Sequence, residues 1–322
     1  MKILITGGAG YIGSKLIGFL LDKGYEVVTI DNLMYGGESL LSYLDNKKFT
    51  FYKGDISNKE DIKHIVTKDI DAIIHLAAIV GDPACKAKPE IAKKTNLEGS
   101  ESLVDYADEI GVKRFIFAST CSNYGKMEGK DILDENSALS PVSLYAELKV
   151  KFEKYLLEKD FSSTIPTILR FATAYGISPR MRFDLTVNHF TKDAFINKKL
   201  VVFGEQFWRP YCHVKDICRS VLMVINADPE KIKKNVFNVG STNENYTKKM
   251  ICGEIIKIMP DTKVEYVKKD EDPRDYKVDF NKIKAALGFR NAMAVSDGIN
   301  EVYTALKDGI IIDPDNGRYG NV

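Results

Sequence analysis

The apolar positions of this chain fall into two alternating rhythms. Short runs rich in β-branched and aromatic residues, KILIT (2–6), YEVVTI (25–30), FTFY (49–52), DAIIHLAA (71–78), RFIFAST (114–120) and TIPTILRF (164–171), alternate with amphipathic, helix-like stretches. The short runs have the length and composition of strands, and the first three, apolar with hardly any alternation, suit strands covered by helices on both faces. Strand, helix, strand in succession predicts βαβ units and a parallel sheet, the doubly wound α/β fold of the Rossmann type. Two connecting stretches are long enough for full helices: 89–110, which opens on Pro89, and 143–159, which follows Pro141.

After Phe171 the rhythm loosens. SPRMRFDL is followed by the helix-like TVNHFTKDAFINKK, a short strand LVVFG, then WRPYCHVKD leading into another helix and the strand NVFNVG. From Gly240 onward come more helices and one strand-like TKVEYVKK. The expected division is a sheet domain over 1–175 and 211–240, and a smaller, discontinuous domain over 176–210 and 241–322. With no internal repeat, low-complexity tract or flexible linker, the two parts are expected to pack as a rigid cleft.

Composition narrows the partners. A chain of 322 residues with 44% hydrophobic residues, 28% charged residues and a net charge of +1 is ordinary for a soluble globular protein. It recommends neither nucleic acid nor a membrane surface. Five scattered cysteines with no Cys-x-x-Cys pair, and four histidines without ligand spacing, predict no disulfide framework and no metal. A chain opening on the strand-like MKILIT, without a leader or a bilayer-length apolar run, is expected in a reduced, cytoplasmic setting.

The candidate chemistry begins directly after the first strand, with Thr6-Gly7-Gly8-Ala9-Gly10-Tyr11-Ile12-Gly13 leading into SKLIGFLLDKG. Missing β-carbons at Gly7 and Gly10 let the backbone turn tightly and approach a pyrophosphate seated on the helix N-terminus; Gly13 lets helix and strand pack closely. The second strand ends in Asp31-Asn32, where a carboxylate bonds adenosine ribose hydroxyls and repels a 2′-phosphate. NAD is therefore the expected cofactor, rather than NADP. Asp55-Ile56, after the third strand, either faces the adenine or forms a turn.

The chemistry of the reaction lies further along. Thr120 ends a strand at its carboxyl edge, where open α/β sheets place ligands. Tyr145 and Lys149 stand four residues apart in a helix, so hydroxyl and ammonium share one face. Such a pair also forms on exposed helices, where the lysine stem merely packs on the ring. Downstream of a dinucleotide loop, Lys149 is instead expected to stabilise a Tyr145 phenolate acting as general base, with Thr120 bonding the reacting oxygen.

Taken together, TGGAGYIG, the Asp31-Asn32 end of the second strand, His75-Leu76-Ala77-Ala78, STCSNYG and YAELK resemble the extended short-chain dehydrogenase/reductases that modify nucleotide sugars, over nearly the whole chain. The resemblance implies that Thr120, Tyr145 and Lys149 are catalytic, that Lys149 also holds the nicotinamide ribose, that Leu76, Ala77 and Ala78 flank the cofactor, and that Asn96 supports the site. It further implies that Asn188 and Arg209 meet the substrate diphosphate, with Cys121 and Ser122 beside the sugar; Arg180, Arg182 and Arg274 are further candidates. A homodimer packed through the two long helices is implied as well.

Departures from the family pattern sharpen the expectation. The family's 4,6-dehydratases carry an Asp-Glu pair after the catalytic Thr, where this chain has Cys121-Ser122, so elimination of water lacks its acid and base. Thr173 stands where many epimerases have asparagine, and Lys269 near where they have a phosphate-gripping arginine. Cys85, in the loop 79–89, and Cys121 are either thiols bordering the pocket or small buried side chains. The expected function is an NAD-dependent nucleotide-sugar 4-epimerase working through a transient 4-keto sugar. The alternatives are a nucleotide-sugar 4-dehydrogenase or ketosugar reductase, for example on an activated heptose, and a non-catalytic NAD sensor.

Overall fold

In the computed structural model, residues 1–126, 132–269 and 274–321 are described. Twelve strands are found among them: β1 (Lys2–Thr6), β2 (Glu26–Asp31), β3 (Phe49–Lys53), β4 (Ala72–His75), β5 (Arg114–Thr120), β6 (Ile165–Phe171), β7 (Thr173–Tyr175), β8 (Lys199–Phe203), β9 (Trp208–His213), β10 (Asn235–Val239), β11 (Asn245–Thr247) and β12 (Lys263–Val267). Seven form one sheet in the order β10-β6-β5-β4-β1-β2-β3, every neighbouring pair parallel. The order reverses beside β1, which opens a crevice at the carboxyl ends of β1 and β4.

The unbroken apolar runs are explained by cores on both faces of this sheet. Ile3 and Ile5 of β1 pack with the helices Tyr11–Asp22 and Val214–Asn226, while Leu4, between them, packs with the helices Ser100–Ile110 and Leu144–Glu158 on the other side. The FTFY run behaves differently: β3 is the sheet's edge, and Thr50 and Tyr52 face solvent. The DAIIHLAA run is also cut short, because Leu76 to Ala78 leave the sheet to pass close against the glycine turn.

The predicted helix over 89–110 is continuous but not uniform. Pro89–Lys93 and Ser100–Ile110 are α-helical, and Lys94–Gly99 between them widens into a π turn. Such turns cost regular hydrogen bonding and persist where a side chain is needed in a special place. Here that side chain is Asn96, whose amide accepts from Ile79 N at 2.8 Å and donates to Ile79 O at 2.9 Å.

Beyond the main sheet, β11, β9 and β7 form a small sheet and β12 pairs with β8. The helices Thr186–Asn197, Lys248–Ile258 and Val295–Lys307 cover them, around a core containing Val187, Leu200, Ile251, Val295 and Ile299. No described helix is long and apolar enough to cross a membrane.

Candidate functional site

A cleft of about 700 Å³ runs along the carboxyl ends of the main sheet and is closed on its far side by residues from the smaller sheets and their helices. One end is built on the glycine turn. Gly7 has φ +78°, and a β-carbon there would lie 2.8 Å from Ala77 N; at Gly13 it would lie 2.2 Å from Gly7 O. The turn can therefore be made only of glycine at these two points. No side chain caps the helix Tyr11–Asp22 at Gly10, and its first turn holds no acid, so its N-terminal dipole faces the cleft available to an anion.

Asp31 sits at the end of β2 in the same wall. Its two oxygens accept from Ala9 N at 3.0 Å and Leu33 N at 2.8 Å, which fixes the carboxylate and leaves lone pairs for hydroxyl donors. Burial nevertheless raises its pKa. Asn32 donates to Asp55 at 3.0 Å, and against its burial this bond and the Ser57 backbone hold the Asp55 carboxyl below its usual range. Gly7, Gly10, Tyr11, Ile12, Gly13, Asp31, Asn32, Asp55, Ile56, Leu76, Ala77 and Ala78 all line the cleft.

At mid-cleft, Thr120, Tyr145 and Lys149 come together. Ser143 caps their helix by accepting from Ala146 N, which fixes the register that turns Tyr145 and Lys149 inward. Lys149 is buried; its Nζ donates to Ala118 O at 2.6 Å and lies 4.5 Å from the Phe117 ring centroid and 5.8 Å from that of Tyr145. Thr120 Oγ1 accepts from Ser122 N at 3.1 Å.

Burial acts on both members of the pair. Desolvation pushes the Tyr145 hydroxyl above its usual range and pulls Lys149 down to about 7.

Behind them lies a buried polar cluster. Glu153, one turn beyond Lys149, is gripped by Arg170 of β6 at 2.6 Å, receives Asn123 Nδ2 at 2.8 Å and is hydrogen-bonded by Ser119 Oγ. Arg170 also donates to Tyr124 OH at 3.0 Å. The cluster clamps β5, β6 and the Tyr145 helix together under the site. Its sequence signal was an acid four residues after Lys149, which by itself reads as a solvated helix position.

Three expected residues lie outside the cleft. Asn188, expected at a substrate diphosphate, is fully buried; its Oδ1 accepts from Gly176 N at 2.9 Å and its Nδ2 donates to Arg182 O at 2.9 Å. Its amide is used to fold the 176–182 segment. Cys121, expected beside the sugar, turns into the core and donates to Arg170 O at 3.3 Å, while its neighbour Ser122 faces the cleft. Asn96 acts from behind the wall through Ile79. Cys85 also bonds Ile79 O, and burial raises its thiol to about 11, so no thiolate borders the site.

The remaining end is cationic. Arg182, Arg209, Lys248 and Arg274 line it with Tyr211 and Tyr276. The Arg209 guanidinium stacks 5.3 Å from the Tyr276 ring centroid, and Arg274 donates to Asp82 at 3.1 Å across the cleft mouth. Tyr35, Tyr276 and Asn321 carry no motif in the sequence and are found only by the fold. Among the described residues no group of three His, Cys, Asp or Glu is placed to hold a metal ion.

The profile of the NAD dependent epimerase/dehydratase family matches residues 3–240. The uncharacterized UDP-glucose epimerase YtcB of Bacillus subtilis (strain 168) is 32% identical over 319 residues, covering 94% of this chain and 97% of the relative. The crystal structure of a Thermotoga maritima UDP-glucose 4-epimerase with UDP-glucose is similar, with a TM-score of 0.85 and 28% identity over 96% of this chain and all of that one. A Bacillus cereus UDP-glucuronic acid 4-epimerase, crystallised with UDP-glucuronic acid and NAD, gives a TM-score of 0.82 at 28% identity, covering 96% and 99% of the two chains.

Proposed function

Since this chain belongs to the NAD dependent epimerase/dehydratase family, we propose that it is an NAD-dependent 4-epimerase of a nucleotide-diphosphate sugar, working through a transient 4-keto sugar. The observation that carries this reading is the single cleft that joins a glycine turn and Asp31 to Thr120, Tyr145 and Lys149, and these to an arginine-rich end.

The residues present fit the cofactor. The cradle at Gly7 and Gly13 has no room for a β-carbon, the uncapped helix beside it suits a diphosphate, and Asp31 suits a ribose bearing free hydroxyls. NAD bound there supplies acceptance of hydride from the sugar carbon and its return. Tyr145 takes the proton of the C4 hydroxyl and later gives it back. Thr120 donates a hydrogen bond to the same oxygen, and Lys149 stabilises the phenolate with its positive charge. Arg209, Arg274 and Arg182 hold the diphosphate of the sugar nucleotide through planar, paired donors. We assign 1–175 and 211–240 to cofactor binding, and 176–210 and 241–322 to the sugar nucleotide.

A dehydratase is disfavoured by the acids of the cleft. Asp31 and Asp55 stand at the adenosine end, while Asp82 and Asp184 are engaged by Arg274 and Arg182. Among the described residues, each acid of the cleft thus stands either at the adenosine end or against an arginine. The free, buried cysteines fit a reduced, cytoplasmic setting. A homodimer through the helices of 89–110 and Leu144–Glu158 completes the proposal, supported by the apolar Ile91 and Val142 left in water on and beside them.

The test is a product assay by NMR with UDP-, GDP-, CDP- and dTDP-sugars and no added NAD. The expected result is an inverted C4 carbinol without net redox change, and Tyr145→Phe is expected to keep NAD while losing turnover by about 10²-fold or more. Accumulation of a ketone, or of NADH without epimer, would overturn the epimerase in favour of a one-way oxidoreductase.

A further inference from the structure

The segment after β7 is laid directly over the start of the first helix. Tyr11 OH donates to Gly176 O at 2.7 Å, Ser178 Oγ donates to Tyr11 O at 2.6 Å, and Arg180 N donates to Ser14 Oγ at 3.3 Å. These bonds deliver the Arg180 side chain to the cleft beside Gly10 and Tyr11. It is 93% buried, with its guanidinium 4.9 Å from the Tyr35 ring centroid and one terminal nitrogen donating to Gly320 O at 2.7 Å. Tyr35 in turn donates its hydroxyl to Asn321 O at 3.1 Å, so the 317–321 segment is pulled across the cleft and Asn321 also lines it.

Two buried polar atoms in this lid have no partner: the Nε of Arg180 and the Oδ1 of Asn321. No described carboxylate forms an ion pair with Arg180; Asp184 and, less, Asp31 lower the cost of its charge from a distance, but Asp184 is paired with Arg182 and Asp31 is spent on two backbone N–H groups. A buried guanidinium with a spare donor and no carboxylate is unfavourable until an anion meets it. The spare atoms are of opposite kinds, a cationic donor and a neutral acceptor. A diphosphate flanked by ribose hydroxyls satisfies both.

We propose that Arg180 and Asn321 form a second grip on the cofactor: Arg180 bonds the diphosphate from the side opposite the glycine turn, and Asn321 accepts from a ribose hydroxyl. The inference rests on the reading of this cleft as an NAD site. Its consequence is retention. Groups from 176–182 and 317–321 close over a cofactor held on 1–175, as an enzyme needs when hydride goes back to the same sugar.

The test uses isothermal titration of the full chain, stripped of nicotinamide, with NAD, ADP-ribose and adenosine. Arg180→Gln is expected to weaken NAD and ADP-ribose by about tenfold or more, the loss of one charge-assisted hydrogen bond, while leaving adenosine unchanged. Asn321→Ala is expected to weaken all three by a few fold. Wild-type affinity for ADP-ribose in Arg180→Gln, or an equal loss for all three probes, would overturn the proposal in favour of a purely structural role. Failure of the wild type to bind NAD would instead sink the cofactor reading itself. If Arg180→Gln does not fold, judged by thermal unfolding without cofactor, Arg180→Lys takes its place: a selective loss for ADP-ribose supports the grip, and none overturns it.

Discussion

At the reaction centre, desolvation sets the individual residues. Lys149 is pulled down to about 7 and Tyr145 pushed up because both have lost water. Glu244 shows the same physics away from the cleft. Burial raises its carboxyl to about 7, although Val295 N donates to it at 3.0 Å. A carboxyl with a raised folded-state pKa binds its proton more tightly in the native state, so its contribution is fully present below about pH 4.5 and is lost as pH climbs through 7. Glu244→Gln keeps the acceptor and removes the titration. Relative to wild type, its unfolding free energy is expected to improve by about 2–3 kcal/mol more at pH 8 than at pH 4.5, measured by urea denaturation. An identical difference at both pH values would show that Glu244 ionises freely in the native state.

At the scale of elements, the glycine turn is where steric arithmetic is strictest. The close approach of Gly13 to Gly7 O is backbone against backbone, which no rotamer change relieves. Gly13→Ala is expected to cost about 1–3 kcal/mol of stability and to weaken NAD binding by more than tenfold, since the turn and the helix N-terminus separate. Calorimetry and cofactor titration check both, and a variant that binds NAD normally would mean that the turn is softer than its contacts show. The glycine turn and the six strands through Phe171 were legible because spacing and apolar runs are local properties. The π turn at Lys94–Gly99 was not, because it exists to let Asn96 reach Ile79, a contact that no periodicity encodes. Asn188 misled for a related reason: an asparagine near a diphosphate and one that pins a loop look alike until the fold shows where its amide is spent.

At the scale of the whole molecule, the helices of 89–110 and Leu144–Glu158 cover one face of the main sheet, and their outer sides are the surface proposed to meet a second copy. Sedimentation at micromolar protein is expected to show a dimer, and Ile91→Lys to shift it toward monomer with the monomer's fold intact. A monomer at every concentration would remove the dimer while leaving the cleft as it is.

The sequence by itself determined the parallel sheet, the glycine turn with Asp31, and the Tyr145–Lys149 pair, since each is written within one strand or helix, where geometry follows from backbone sterics and short spacing. Only the tertiary structure decided what each polar side chain has left to give. It turned Cys121 and Asn188 away from the cleft, put Glu153 and Arg170 beneath it, and brought Arg180, Tyr35 and Asn321 together from three distant stretches of chain. Burial and hydrogen-bond satisfaction are settled by neighbours remote in sequence, and these fix which groups remain free for chemistry.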